Sequence, residues 1–354
     1  MPSANVTWPN PLIRQNAFET GQMGVPGTWS ETGLRQHSTG KIVWVDPNYP
    51  GVWDGRGNAV DRDGTDPNDP CATIALALTK CRPYRGDTIA VMANGFWTDA
   101  PKGVANYPLP ITETVEITVH GVRIVGVFPS GALGVPWRAA ASGNTILTIS
   151  AIDVLVEGFC FMGGDPLLVT NFNGIYSEWA GGATGLWGDC LTVRHCFFDS
   201  DIQTAIELEF VYNADIHDNT FQDCDIAGIY SDGVAAIRDC HFHHNWFMQA
   251  GEGQTGAISV RNATRCKINE NQIYNSNAQA GAAGGGAIDE MIDTTGGGQN
   301  IVHHNTLSCD FNAAVPPPVV NGDFDDCCSC GATDSWVWNY CHNGLVNSRL
   351  PATP

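Results

Sequence analysis

The chain has 354 residues, 43% hydrophobic and 15% charged, with 40 glycines and 20 prolines. That is enough apolar material for two ordinary domains or one long repetitive core, and it excludes wholesale disorder. With 37 acidic against 17 basic residues the formal charge is −20, which argues against nucleic acid or an anionic membrane surface as a partner.

The first 18 residues, MPSANVTWPNPLIRQNAF, lack the basic and apolar regions of a signal peptide. No later run approaches the roughly 20 apolar residues of a membrane span. Residues 1–39 carry Pro, Asn, Gly and Thr with few paired apolar positions, and read as an extended arm that packs on something else. Residues 40–100 form a lead-in. Gly40 to Asp46 reads as a strand, and Asp69 to Cys81 as a helix with Asp69 as N-cap and Pro70 in its first position. Gly86 to Met92 reads as a further strand. Such a helix suits the open end of a repetitive β-structure, where strand edges and core would otherwise meet water.

Residues 101–345 repeat. The pattern is an apolar residue, two residues, often Asn, one residue, and a second apolar residue. It occurs at Ile216–Asn219–Phe221, Phe242–Asn245–Phe247, Ile268–Asn271–Ile273, Val302–Asn305–Leu307 and, more loosely, Trp336–Asn339–Cys341. Versions without Asn start at Val193, Val156 and Ile124. A second pattern precedes the first within each rung: Gly174-Ile175, Ala205-Ile206, Gly228-Ile229, Ala257-Ile258 and Ala287-Ile288, each continuing in period-2 alternation. Short β-prone segments separated by Gly/Asn/Asp turns at this spacing predict a parallel β-solenoid. The remaining residues, 346–354, form a tail. An Asn at one turn in successive rungs can bond its equivalents about 4.8 Å above and below, and it tolerates a left-handed backbone. Asn219, Asn245, Asn271, Asn305 and Asn339 are therefore expected to form a structural ladder.

The lead-in and the Asn-bearing rungs together resemble the right-handed parallel β-helix proteins of the pectate-lyase-like class, over about residues 40–345. The resemblance implies an all-β, right-handed parallel β-helix. The arm, the absence of a signal peptide and the high Gly/Asn content are similar in character to virion proteins of tailed bacteriophages. This resemblance implies a homotrimer exposed on a virion surface and made in the host cytoplasm. It would be a capsid decoration protein held to the major capsid protein or another virion protein through residues 1–39, or else a tailspike that binds or cleaves surface glycan.

The chemistry-bearing residues fall on one expected face. Positions one and three after the Ile of the second pattern give Tyr176, Glu178, Glu207, Glu209, Tyr230, Asp232, Ser259, Arg261 and Asp289, an acidic and partly aromatic groove suited to sugar. Carboxylates on adjacent rungs would lie about 5 Å apart, and on alternate rungs about 9.5 Å, near the separations of retaining and inverting glycosidases. Glu209 with Asp232 is the candidate pair, set against the reading that these are merely solvated acids. Lyase chemistry is disfavoured, because Arg261 is the one basic residue expected there. His241, His243 and His244 cluster in one rung, but His243 and His244 point to opposite faces and cannot both ligate one metal unaided; His217, His243 and His303 share a column with Asn269 and read as a solvated stack rather than a metal site. Cys240 and Cys266 should stack inside, as thiols or as a disulfide. Cys327, Cys330, Cys341 and His342 are candidate zinc ligands, with free thiols or a local disulfide as the alternative. No cofactor is expected.

Overall fold

A computed structural model describes residues 40–47, 63–65, 67, 69–92, 110–127, 134–141, 143–163, 173–177, 189–199, 202–232, 236–248, 250, 256–275, 292–309, 328–329, 333–341 and 344–346. The arm over 1–39 and the tail beyond residue 346 lie outside the described residues, as do Glu178, Asp289, Cys327, Cys330 and His342.

The strands are short because each must turn a corner of the coil. They stack into three parallel sheets. Sheet 1 runs from Ile42–Val45 through Asp215–His217 and His241–His243 to Ser335–Val337; sheet 2 from Val115–Ile117 through Thr204–Leu208 to Cys328–Ser329; sheet 3 from Ile111–Thr112 through Thr220–Gln222 to Asn339–Cys341. The chain visits sheet 2, then 1, then 3, and each return pairs parallel with the rung before. This is a parallel β-helix, right-handed as parallel crossovers are.

One inward column carries each sheet. In sheet 1, Ile89, Ile124, Val156, Val193, Ile216, Phe242, Ile268, Val302 and Trp336 are in register and buried. In sheet 3 the column is aromatic over four rungs: Phe161, Phe198, Phe221 and Phe247 stack at 5.0, 4.9 and 4.5 Å with interplanar angles of 11° or less. Stacking of this kind adds about 1 kcal/mol per pair to the burial of the rings.

The Asn ladder stands at the corner between sheets 1 and 3. Asn271 is typical. Its Nδ2 donates to Phe242 O (2.9 Å) and to Asn305 Oδ1 (3.0 Å), and its Oδ1 accepts from Asn245 N (3.0 Å) and Asn245 Nδ2 (3.1 Å). Asn219, Asn245, Asn305 and Asn339 repeat the bond to the carbonyl below. The left-handed backbone expected of these Asn belongs instead to the residue before each. Asp218, His244, Glu270, His304 and Trp338 have φ between 54° and 57°, as has His195 (50°) before Cys196 in the rung that lacks the Asn, so the bend comes one position early and frees the Asn side chain to point inward. A second, shorter ladder at the entry to sheet 1 escaped the sequence reading: Asn300 Oδ1 accepts from Cys266 N, and Asn300 N donates to Asp334 Oδ1.

The cap helix is shorter than expected, Ile74–Leu78, with Thr73 as N-cap rather than Asp69. Cys71 pairs with the first strand through Cys71 N to Trp44 O (2.8 Å) and Asp46 N to Cys71 O (2.9 Å). Residues around it are thereby held extended, and the helix cannot start at Pro70. Its first free N–H groups, on Ile74 and Ala75, are met by the Glu113 carboxylate, both at 2.9 Å. At the other end Gly344–Val346 turns back antiparallel on Asn339–Cys341 and covers the last edge of sheet 3. Cys240 and Cys266 are buried thiols and form no disulfide; Cys196 is likewise buried, which pushes its thiol up to about 12.

Candidate functional site

The outer face of sheet 2 brings three of the expected groove residues into one column. Tyr176 pairs with Glu207, and Glu207 with Tyr230, on adjacent rungs. Their neighbours Ile175, Ile206 and Ile229 are fully buried, so period-2 alternation turns the two tyrosines and the glutamate outward, where all three are half-buried. Glu207 is therefore flanked in its column by a tyrosine on each adjacent rung, the strands lying about 4.8 Å apart. Burial, and next to it the charges of Glu209 and Asp232, raise its pKa above the ordinary carboxylate value, against the hydrogen bond that Asn173 Nδ2 donates to it. Tyr230 is raised too, by burial and then by the charges of Asp232 and Glu207. A carboxyl group whose pKa is pushed upward by burial and nearby acidic residues is displaced in the direction a general acid requires.

Glu209 and Asp232, the pair singled out from sequence, lie just past the strand ends on adjacent rungs, both half-buried. Their charges reach Glu207. The groove does not continue evenly beyond Tyr230. Ser259, the next residue of the column, is buried, and so is Asp293 after it. The position assigned to Asp289 is occupied by Asp293, because Ile292, not Ile288, is in register with Ile258. Arg261 Nε donates to Asp293 Oδ2 at 2.8 Å, so the one cation expected on the face is engaged by a buried carboxylate. That pairing is unhelpful to a lyase, which needs a base.

The outer face of sheet 1 carries the histidines. His217, His243, Asn269 and His303 are in register as expected, but the column is not simply solvated: His217 and Asn269 are buried, and the His217 and His243 rings stack at 4.8 Å and 9°. The sequence places His241 in the same rung as His243, but not the carboxylate that joins them. His241 lies two residues from His243 and so on the same face, with its ring 3.9 Å away. Asp215 pairs with His241 from the rung before, and its Oδ1 is 3.0 Å from His243 Nε2 and 4.0 Å from His241 Nδ1. Period-2 spacing of 241 and 243 was legible; the approach of Asp215 required the rung register.

No protein-family model matches this chain, and no curated protein matches it significantly. Among solved structures it is similar, at 12% identity each, to pectate lyase Pel9A (TM-score 0.35; 77% of this chain and 64% of that one) and to a DFA-IIIase from Arthrobacter chlorophenolicus A6 in complex with DFA-III (0.39; 84% and 67%). It is also similar, at 12% identity, to ORF18 of Geobacillus virus E2 (0.38; 87% and 63%). The chain thus spans about two thirds of the length of these proteins. At such identities and TM-scores the site has to be read from this chain alone.

Proposed function

We propose that the outer face of sheet 2 binds a neutral glycan and that Glu207 donates the proton for cleaving it, with Asp232 as the second carboxylate. The observation that carries this reading is the column Tyr176–Glu207–Tyr230. Two half-buried aromatic faces offer stacking to sugar rings, and the carboxyl group in the same column has its pKa raised by burial and by the charges of Glu209 and Asp232, the direction a general acid needs. Glu209 adds to burial in raising the pKa of Glu207. With Glu209 and Asp232 on this face, a polyuronate would meet like charge, whereas a neutral polymer would not. The full chain is accordingly expected to retain neutral glucans, mannans or galactans on an affinity gel and to pass polygalacturonate. Tyr176→Ala and Tyr230→Ala should each weaken retention up to about tenfold. Equal retention of polyuronates, or no effect of either substitution, would remove the reading.

The setting of this face in a phage-type particle is a second proposal, favoured by a solenoid that fills the described chain and by the separate composition of residues 1–39. On this reading the chain decorates a capsid as a homotrimer, attached through those residues to a capsid or other virion protein. Light scattering should then give three chains of 37.9 kDa, about 114 kDa in all. A protein that is monomeric both with and without residues 1–39, and which fails to attach to particles, would count against it.

A further inference from the structure

We propose that Asp215, His241 and His243 form a binding site for one divalent transition-metal ion of the zinc class on the outer face of sheet 1. The inference is independent of the glycan reading, which concerns a different sheet.

The ligand atoms, a carboxylate oxygen and two imidazole nitrogens, all lie within 4.8 Å of one another. Their hydrogen-bond partners fix where the ring protons sit. Asn269 donates its Nδ2 to Glu270 Oε2 (3.2 Å), which leaves its Oδ1 as an acceptor 2.6 Å from His241 Nε2. His241 Nε2 must therefore carry the proton, and Nδ1, the atom toward Asp215, is a bare lone pair. A similar relay sets His243. His244 Nε2 donates to Glu270 Oε2 at 2.8 Å, so in the neutral ring His244 Nδ1 accepts from His243 Nδ1 at 2.6 Å. In that tautomer the nitrogen open to a metal is His243 Nε2, 3.0 Å from Asp215 Oδ1. The three ligand atoms thus converge on one point; in the metal-free protein a proton on His243 Nε2 can bridge to Asp215, and a cation takes that proton's place.

The distances suit a metal ion. Two ligands of a tetrahedral zinc at about 2.0–2.1 Å are separated by about 3.3 Å, and the two separations from Asp215 Oδ1, 3.0 and 4.0 Å, bracket that value. Two nitrogens and one oxygen select a late first-row ion over calcium or magnesium. Asn269, and His244 with Glu270 behind it, are the outer partners that hold each ring by its other nitrogen. The His217 ring stacked on His243 covers one side. The exposed Lys267 beside His241 opposes a cation, against the carboxylates of Asp215 and Glu270. Three protein ligands leave at least one coordination position for water or an exogenous donor.

Cobalt(II) is the probe, because its visible bands report the donor set. The full chain, freed of metal by a chelator, is expected to take up one equivalent with a nitrogen/oxygen spectrum and to release it to added zinc. Asp215→Asn and His241→Asn should weaken uptake at least 100-fold, and Glu270→Gln, which touches only the outer partners, about tenfold. His304→Asn should leave it unchanged. Circular dichroism identifies any variant that fails to fold, and Glu270→Gln, on an exposed side chain, keeps the test open in that case. The proposal is overturned if stoichiometric cobalt gives no nitrogen/oxygen band. It is equally overturned if the spectrum shows thiolate charge transfer alone, placing the metal on cysteines, or if uptake is the same in Asp215→Asn and Glu270→Gln as in the parent.

Discussion

Asn271→Ala is expected to lower the unfolding free energy by about 4 kcal/mol, a large share of the 5–15 kcal/mol that ordinary domains possess. Asn271 is fully buried in the middle of the ladder. Alanine would leave Asn245 N–H without its acceptor and Phe242 O without its side-chain donor, and would remove the links to Asn245 Nδ2 and Asn305 Oδ1. Each buried group so orphaned costs about 1–3 kcal/mol. The loss should be worse than the bond count alone suggests, because a solenoid is held by contacts between neighbouring rungs, and an interior break weakens coupling on both sides. Urea unfolding followed by circular dichroism measures the effect; a change below about 1 kcal/mol would mean that water or a backbone shift takes over the ladder.

How much of this was legible varies by element. The columns of sheets 1 and 3 were readable because Asn219, Asn245, Asn271, Asn305 and Asn339 mark the same corner in five rungs, and the apolar residues around them keep fixed offsets. Sheet 2 was readable until residue 287. There two Ile-Asp pairs, Ile288-Asp289 and Ile292-Asp293, compete, and local alternation cannot separate them. Spacing to the next sheet does not separate them either: Ile175, Ile206, Ile229 and Ile258 precede Val193, Ile216, Phe242 and Ile268 by 18, 10, 13 and 10 residues, so the 14 from Ile288 and the 10 from Ile292 to Val302 are both admissible. The helix start was misplaced because Asp69-Pro70 is a good local N-terminus, yet the pairing of Cys71 with the first strand overrides it. At the sites, the outward face of sheet 2 followed from period 2. What local sequence could not supply was burial: Glu207 looked like one acid among several, and only the packing of the coil distinguishes it from Glu209 and Asp232. The tautomers that aim His241 and His243 at Asp215 depend on Asn269 and Glu270 from the next rung, which no local pattern specifies.

Glu207→Gln should have the largest functional effect. A positioned general acid contributes about 10²–10⁴-fold to rate, and glutamine cannot donate the proton, so cleavage should fall about 1,000-fold. Binding should survive, because glutamine keeps the shape of the side chain, its oxygen can still accept from Asn173, and Tyr176 and Tyr230 are untouched. The pH dependence has a definite sign. The pKa of Glu207 is raised from the ordinary carboxylate value, mainly by burial, so the parent should lose activity at a higher pH than an enzyme whose acid is an unshifted carboxylate. The same shift means that Glu207 favours the folded state below its unfolded pKa, and that this contribution disappears as pH climbs through the folded one. At neutral pH the glutamine variant should therefore unfold no more readily than the parent. The most direct measurement is reducing-end release from a retained neutral glycan by the full chain and by Glu207→Gln, with binding followed in parallel. Release by the parent, its near-disappearance in the variant and undiminished binding by both are the expected results. Equal release by the two proteins, or binding by both with release by neither, would contradict the assignment of Glu207 as the acid.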